Sequence, residues 1–253
     1  MATLNGHHAV VTGGGRGIGR AIAAALSAAG AAVTVTGRSE AALADATAKR
    51  DAAGYFIADV TDAGALRGGL ERAAKARGPV TILIANAGAA ESAPFVKGDP
   101  DVFRRMLDLN LMGVVHASRA VLPGMIAGKF GRIVAVASTA GLKGYAYVTA
   151  YCAAKHAVVG LVRALALEVA RTGVTVNAVC PGYTDTDLVR ESLDRIEQKT
   201  GRPRQEALAA MIKDNPLGRL IRPEEVAAAV LALCGPDASA ITGETLAVAG
   251  GEI

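Results

Sequence analysis

The chain alternates between short apolar runs and longer Ala-rich stretches whose apolar positions recur with helical spacing. The apolar runs lie near 8–12, 32–36, 55–58, 81–85, 132–137, 174–180 and 244–248. The helical patterns lie near 17–29, 40–52, 62–77, 101–127, 149–171 and 222–234. Alternation of this kind predicts a parallel sheet with helices on both faces. Consecutive apolar residues such as Ile133-Val134-Ala135-Val136 are typical of strands buried on both faces.

We therefore expect an α/β fold, a doubly wound parallel sheet of the Rossmann type with about seven strands, in a single domain spanning residues 1–253. One segment, 183–215, departs from the alternation because it is polar and charged and contains the turn Thr200-Gly201-Arg202-Pro203. Ligands of open parallel sheets bind beyond the carboxyl ends of the strands. Because the segment follows the sixth predicted strand, we expect it to form a substrate lid.

Composition narrows the range of partners. The formal net charge of +4 is mild, the basic residues are scattered and there is no Trp, which does not favour a nucleic-acid-binding face. No stretch approaches the roughly 20 apolar residues of a membrane-spanning helix, and no signal-peptide pattern opens the chain, so we expect a cytoplasmic protein. Cys152, Cys180 and Cys234 have no metal-site or disulfide spacing and are expected to be reduced core thiols. No metal is predicted.

A glycine-rich turn follows the first predicted strand, in the order Thr12-Gly13-Gly14-Gly15-Arg16-Gly17-Ile18-Gly19. Glycine lets the backbone turn sharply and approach a ligand closely. The helix that follows offers free N–H groups and the positive end of its dipole to a pyrophosphate. The spacing is T-G-x-x-x-G-x-G rather than G-x-G-x-x-G, and no Gly-Lys-Ser/Thr follows as in a P-loop. A plain tight turn is the alternative, but the flanking strand and helix favour a dinucleotide site.

The end of the second predicted strand, Thr36-Gly37-Arg38, bears on the choice of cofactor. An acidic residue usually stands here when the ribose 2′-hydroxyl is free, and none is present at 36–38. The guanidinium of Arg38 matches the oxygens of a 2′-phosphate, with Arg16 as a second donor. The alternative is that both are solvated surface charges. We predict a preference for NADP(H), with NAD(H) as the alternative.

A Tyr and a Lys four residues apart, Tyr151 and Lys155, share one face of the helix predicted over 149–171. An ammonium beside a phenol lowers the phenol pKa from its usual value of about 10, which suits Tyr151 to acid/base catalysis. Such pairs also occur on solvated helices. Ser138, just past the fifth strand, strengthens the prediction because its hydroxyl can hydrogen-bond a substrate carbonyl.

Together these motifs resemble the short-chain dehydrogenase/reductase family over nearly the whole chain, and the overall look is nearest to the 3-oxoacyl-thioester reductases. The likeness rests on Thr12 to Gly19, Asp59-Val60, Asn86-Ala87-Gly88, Asn110, Ser138, Tyr151-x-x-x-Lys155, and Pro181-Gly182 with Thr184 and Thr186. The resemblance implies a ketone–alcohol oxidoreductase that forms a homotetramer. The helices near 110–127 and 149–171 and the segment 248–251 are candidate interfaces.

The resemblance also implies roles for individual residues. It assigns the cofactor to Gly13, Gly15, Arg16, Gly17, Ile18, Gly19, Arg38, Asp59, Val60, Asn86, Ala87, Gly88, Tyr151, Lys155, Pro181, Gly182, Thr184 and Thr186. It implies that Tyr151 exchanges the proton, Ser138 steadies the oxygen, and Lys155 holds the ribose and tunes Tyr151. Asn110 is expected to hold a water that relays protons to Lys155. The alternatives are that Asn110 only bends its helix and that Asn86 is purely structural.

The substrate is less clearly indicated. Candidate pocket residues are Ala140, Leu142, Tyr145, Tyr147, Tyr183 and Leu188, with Leu193 and Met211 in the lid. Their mostly apolar character favours an acyl or cyclic group over a sugar. Lys129 and Arg171 are candidates for contact with a carrier protein or, alternatively, solvated charges. CoA, a carrier protein and a free ketone stay open. The rival functions are an NAD-dependent secondary-alcohol or hydroxyacyl-CoA dehydrogenase and a non-catalytic dinucleotide sensor.

Overall fold

A computed structural model describes residues 3–253, apart from the side chain of Lys199. Its strands form one seven-stranded sheet in the order β3-β2-β1-β4-β5-β6-β7, and every neighbouring pair is parallel. The strands are β1 (His8–Thr12), β2 (Ala32–Gly37), β3 (Gly54–Ile57), β4 (Val80–Ala85), β5 (Gly131–Val136), β6 (Val174–Pro181) and β7 (Thr245–Val248). The predicted doubly wound α/β fold is confirmed.

Helices cover both faces of this sheet. They are α1 (Gly17–Ala28), α2 (Glu40–Ala48), α3 (Ala63–Arg77), α4 (Asp101–Leu107), α5 (Gly113–Ala127), α6 (Thr149–Val169), α7 (Asp187–Thr200), α8 (Arg204–Ile212) and α9 (Pro223–Cys234). Two apolar clusters form the core, one on each face of the sheet. Every residue of β1 and β5 is buried, which explains their uninterrupted apolar runs.

The winding direction of the chain reverses between β1 and β4, which are hydrogen-bonded neighbours in the centre of the sheet. Their last residues, Thr12 and Ala85, stand opposite one another in register. The loops that follow these two strands therefore leave the sheet side by side and diverge to opposite faces. Such a switch point is where open parallel sheets bind ligands.

Two segments differ from the expected elements. The helix predicted over 101–127 is interrupted by a π-helical turn, Asp108–Met112, between α4 and α5. In this turn the buried amide of Asn110 donates to the Met106 carbonyl, and side chain–backbone bonds of this kind locally alter helices. The segment predicted as a polar lid folds into α7 and α8, joined through Gly201 in the left-handed conformation with φ 68°.

Candidate active site

The glycine-rich turn is tied to the loop after β4. The hydroxyl oxygen of Thr12 accepts the backbone N–H groups of Asn86 and Ala87, each at 3.0 Å. The side-chain amide of Asn86 donates to the carbonyl of Thr12 at 2.9 Å. A Cβ on Gly19 would lie 2.3 Å from the carbonyl oxygen of Gly13, so only glycine allows this approach. Asn86 thus makes the contacts expected of a structural residue, the role that the sequence analysis gave as the alternative.

The start of α1 is open to an anion. Helix α1 begins at Gly17, and in the described part of the chain its N-terminus has no side-chain cap and no acidic residue in its first turn. Its leading N–H groups and the positive end of its dipole therefore remain available. The Arg16 guanidinium, 69% exposed, lies 3.8 Å from the Glu191 carboxylate of α7. The turn has the backbone shape and charge that suit a pyrophosphate.

The structure brings Arg38 and Asp59 together where β2 and β3 end. The side chain of Arg38 is 75% exposed, and its Nη1 lies 3.9 Å from Oδ2 of Asp59. A backbone N–H donated by Thr61 holds the pKa of Asp59 below its usual value. Val60 is buried and packs closely against Gly113. A Cβ added to Gly113 would lie 2.7 Å from the Val60 side chain. An exposed guanidinium at this edge is free to meet a phosphate.

Helix α6 holds Tyr151 half-buried and Lys155 buried, with the ammonium 5.7 Å from the centroid of the Tyr151 ring. The Lys155 Nζ donates to the carbonyl of Val136, at the end of β5, at 2.8 Å. Burial lowers the pKa of Lys155 to about 8. The one-turn spacing predicted for this pair is observed.

The direction of the Tyr151 pKa shift differs from the prediction. Burial raises the pKa of Tyr151 to about 12, and the hydrogen bond to the Ser138 side chain opposes this only in part. We expected Lys155 to lower it. The prediction is wrong for the protein alone, because the ammonium lies over the ring and donates to Val136 instead of bonding the phenol oxygen. At neutral pH, Tyr151 therefore carries its proton.

Ser138 is the second residue after β5 and is within hydrogen-bonding reach of Tyr151. Its Oγ also accepts the N–H of Ala140 at 3.1 Å, which starts a short 3₁₀ turn over Thr139–Gly141. The serine hydroxyl is thus held on the side of the β5–α6 loop that faces the phenol. Ser138, Tyr151 and Lys155 form one group at the carboxyl end of β5.

Asn110 faces the same group from the π-helical turn. Its amide nitrogen donates to the carbonyls of Ala89 at 3.0 Å and Met106 at 3.1 Å. Its Oδ1 is buried and has no hydrogen-bond partner in the described part of the chain. A Cβ on Gly88 would lie 2.6 Å from that oxygen and 3.6 Å from the Nζ of Lys155. A buried acceptor of this kind suits a water between Asn110 and Lys155, as the predicted relay requires.

The loop after β6 completes the cofactor side. Pro181 ends β6, and the hydroxyl of Thr184 donates to the carbonyl of Gly182 at 3.0 Å. The hydroxyl of Thr186 donates to the carbonyl of Thr184 at 3.3 Å. A Cβ on Gly17 would lie 3.3 Å from the Thr186 methyl group. The predicted residues from the first turn and from the sixth strand are therefore neighbours in space.

A family comparison agrees with this arrangement: residues 7–197 match the model described as short chain dehydrogenase. The chain belongs to this family. It is 39% identical to a 3-oxoacyl-(acyl-carrier-protein) reductase of Vibrio harveyi, over 98% of both chains. It is 37% identical to a D-beta-hydroxybutyrate dehydrogenase of Cupriavidus necator, again over 98% of both. An actinorhodin polyketide ketoreductase solved with NADPH superposes with a TM-score of 0.93 at 35% identity, over 100% of this chain and 99% of that one.

The candidate pocket residues of this short-chain dehydrogenase differ in burial, and their contact with a substrate stays a prediction. Ala140 is buried beside Ser138, and the rings of Tyr145 and Tyr183 pack edge to face with centroids 6.1 Å apart. Leu142 is half-buried on the same loop. Tyr147 is 65% exposed and adopts a left-handed φ of 68°, while its carbonyl accepts the N–H of Ala93. Leu188 is 41% exposed at the start of α7.

Four other candidates lie elsewhere in the fold. Leu193 and Met211 belong to an apolar cluster of α7 and α8 that also includes Tyr183, and their contact with a substrate stays a prediction. Lys129 and Arg171 lie just before β5 and β6, at the amino ends of the strands. The active-site group lies at the carboxyl ends, on the opposite edge of the sheet. Neither basic residue is therefore placed to receive a carrier protein at the pocket mouth.

Two residues at the substrate side were missed, Lys143 and Glu252. The Glu252 side chain is only 3% exposed, and its carboxylate accepts from the Tyr145 hydroxyl and lies 3.0 Å from the Lys143 Nζ. No signal in the sequence could have found this pair, because a carboxylate two residues from the chain end belongs to no recognisable motif. Its burial depends on contacts across more than a hundred positions.

No helix within residues 3–253 has both the length and the apolar character needed to cross a bilayer. Over the same residues, no group of three or more His, Cys, Asp or Glu side chains converges as metal ligands would. The three cysteines are buried and unpaired with one another, as expected for core thiols.

Proposed function

We propose that this short-chain dehydrogenase reduces the ketone of a 3-oxoacyl thioester to a secondary alcohol, with NADPH as the reductant. The observation that carries the proposal is the group formed by Ser138, Tyr151 and Lys155 at the carboxyl end of β5, with a proton held on Tyr151. The names of the relatives, two of them ketone reductases, support the same reaction class. The acyl thioester is the substrate of the first of these.

NADPH, when bound, supplies the hydride from C4 of its nicotinamide. The uncapped start of α1 would hold its pyrophosphate, and Arg38, aided by Arg16, would hold the 2′-phosphate. Asp59 and Val60 would flank the adenine. Asn86, Ala87 and Gly88 would line the cleft, while Pro181, Gly182, Thr184 and Thr186 would lie along the nicotinamide.

The protein's own groups move the proton and hold the oxygen. Tyr151 donates its proton to the carbonyl oxygen as negative charge develops there, and the hydroxyl of Ser138 hydrogen-bonds the same oxygen. A phenol with a pKa of about 12 carries at neutral pH the proton that ketone reduction needs. Lys155 would hold the cofactor ribose, and a water held between Asn110 and Lys155 would take part in returning a proton to Tyr151 after each reduction.

The apolar wall formed by Ala140, Leu142, Tyr145 and Tyr183 suits an acyl chain, and α7 and α8 form a lid over it.

The protein is also proposed to form a homotetramer. Exposed apolar side chains along the outer face of α6 and the edge strand β7, including Leu167 at 83% and Leu246 at 41% exposure, support burial against another copy.

The second candidate is an NAD-dependent dehydrogenase that oxidises a 3-hydroxy acid, favoured by the relative from Cupriavidus necator. Arg38 argues against it. A matrix of substrates and cofactors separates the two. Acetoacetyl-CoA, ethyl acetoacetate and acetoacetate are supplied with NADPH or NADH, and 3-hydroxybutyrate with NADP⁺ or NAD⁺. We expect the fastest loss of reduced-nicotinamide absorbance with acetoacetyl-CoA and NADPH. Faster oxidation of 3-hydroxybutyrate with NAD⁺ would establish the second candidate instead.

A further inference from the structure

The C-terminal tail turns back onto the substrate side of the active site. After β7 the chain passes through Gly250 and Gly251, with φ of 64° and 89°, which only glycine adopts readily. A Cβ on Gly250 would lie 2.3 Å from Oδ1 of Asn215, so the tail packs closely against the residues that follow α8. The turn carries the Glu252 carboxylate to the end of β6, where its Oε2 would lie 3.1 Å from a Cβ on Gly182.

The Glu252 side chain is buried, and one of its carboxylate oxygens contacts two residues of the pocket wall. Its Oε1 accepts from the hydroxyl of Tyr145 and lies 3.0 Å from the Nζ of Lys143. The Tyr145 oxygen also lies 2.7 Å from the hydroxyl of Thr139, the residue after Ser138. Burial and the Glu252 carboxylate together raise the pKa of Tyr145, so its phenol remains a donor to the carboxylate. The tail thus reaches the catalytic loop through one side chain.

The position of Lys143 links this network to the net charge of the pocket wall. Its side chain is 31% exposed, and its ammonium lies 5.0 Å from the centroid of the Tyr145 ring. Tyr145 packs on Tyr183 with ring centroids 6.1 Å apart, and Tyr183 adds slightly to the rise that burial causes in the pKa of Tyr151. An unpaired ammonium on this wall would attract an anionic substrate toward the catalytic tyrosine. Glu252 holds the ammonium and cancels its charge.

We propose that Glu252 is a positioning residue that holds Lys143 and Tyr145 and keeps the pocket wall electrically neutral. The wall therefore selects ketones whose neighbouring acyl group is uncharged, such as esters and thioesters, over 3-oxo acids with a free carboxylate. This inference rests on the proposed ketone reduction for its kinetic test. It goes beyond that reduction by naming the residues that decide the charge of the substrate.

The kinetic test compares ethyl acetoacetate with acetoacetate, which have the same ketone and differ in charge. Glu252→Gln keeps an oxygen that can accept from Tyr145 and leaves Lys143 without its counter-charge. We expect the kcat/KM ratio of acetoacetate to ethyl acetoacetate to rise about tenfold, which corresponds to about 1.4 kcal/mol. Glu252→Gln combined with Lys143→Met should return the ratio to the wild-type value. Glu71→Gln, on the exposed surface of α3, should leave it unchanged.

A binding measurement gives a readout that does not depend on turnover. Titration calorimetry with acetoacetate and the protein saturated with NADP⁺ should show tighter binding to the Glu252→Gln variant than to wild type, and the gain should vanish with Lys143→Met. If the Gln variant unfolds, Glu252→Ala also lacks the carboxylate and should show the same gain. If Glu252 had only a structural role, its substitution would weaken the binding of acetoacetate and of ethyl acetoacetate alike. That effect would not depend on Lys143.

The outcomes separate this inference from the proposed function. An unchanged substrate ratio together with unchanged acetoacetate binding in the folded Gln or Ala variant overturns the inference, even if the wild type reduces acetoacetyl-CoA. A gain that persists without Lys143 overturns it as well. If the wild type reduces none of the ketones with either cofactor, the proposed function fails, while the Lys143-dependent gain in acetoacetate binding still decides the inference.

Discussion

The turn after β1 is held to its neighbouring loop through backbone groups, whereas the wall after β5 is held by contacts between side chains. On the cofactor side, Thr12 and Asn86 join two adjacent loops through backbone groups. On the substrate side, Tyr145 is joined to Glu252, which is 107 positions away. The first region depends on glycines that leave room for a ligand, and the second depends on the positions of polar and aromatic side chains.

This difference has a functional meaning. A pyrophosphate and a helix N-terminus are the same in any dinucleotide enzyme, so a backbone shape is enough to bind the shared part of the ligand. The substrate varies among enzymes of one fold, and its specificity resides in side chains grafted onto that fold. Mutations in the two regions should therefore have different effects. Those in the first region should weaken cofactor binding, and those in the second should alter the chemistry or the substrate selectivity.

The sharpest test on the substrate side is Tyr151→Phe. Removing the proton donor should lower kcat by about 10²–10⁴-fold, the usual contribution of general acid catalysis. NADPH affinity, measured by fluorescence titration, should change little because the glycine-rich turn is untouched. Tyr147→Phe is the matched control and should retain its rate, since that ring is 65% exposed. A Tyr151→Phe variant with normal turnover would exclude Tyr151 as the acid.

The opposite pattern is expected for Gly19→Ala on the cofactor side. The new Cβ would lie 2.3 Å from the Gly13 carbonyl, so the turn must open and lose its fit to the pyrophosphate. Overpacking typically costs about 1–3 kcal/mol, and we expect the Kd for NADPH to rise about tenfold to a hundredfold. Gly144→Ala, in the β5–α6 loop with no heavy atom within 4 Å of its added Cβ, is the control. Equal NADPH affinity in both variants would contradict the close approach.

A smaller and more selective effect is expected for Arg38→Asp. Replacing the guanidinium by a carboxylate repels a 2′-phosphate and offers an acceptor to a 2′-hydroxyl. The ratio of kcat/KM with NADPH to that with NADH should fall about tenfold or more, at about 1.4 kcal/mol for each tenfold change. Arg67→Asp on the exposed surface of α3 is the control. An unchanged ratio would mean that Arg38 does not meet the phosphate.

The smallest predicted effect is a pH dependence of ketone reduction. Lys155 has a lowered pKa of about 8, so its ammonium is present below that pH and is lost as the pH rises through it. Because the free-enzyme pKa governs kcat/KM, we expect an alkaline limb near pH 8 and a parallel weakening of NADPH binding. Tyr151, with its pKa of about 12, stays protonated throughout this range. A flat profile from pH 7 to 10 would show that the Lys155 charge is dispensable.

Much of the molecule could be predicted because its signals are local. Buried strands such as β5 are recognisable from consecutive apolar residues. The glycine-rich turn is recognisable because its residues are adjacent in the sequence. The Tyr151–Lys155 pair needed only the period of a helix. In a parallel sheet, the loops that follow the strands lie together at the carboxyl ends. The parallel topology therefore also predicts where Ser138 lies. Catalytic and cofactor roles, a cytoplasmic location and the tetramer stay predictions.

The remaining features depend on distances that no local pattern contains. The helix over 101–127 breaks at Asn110, whose amide bonds Met106 and Ala89, and the second partner lies 21 positions away. The pKa of Tyr151 rises because folding buries it and aims the Lys155 ammonium at Val136. The sequence by itself determined the sheet and the glycine-rich turn, and it singled out Tyr151 as the candidate proton donor. Only the tertiary structure decided the protonation of that donor and the pairing of Glu252 with Lys143, because burial and charge pairing arise between segments that meet only after the chain has folded.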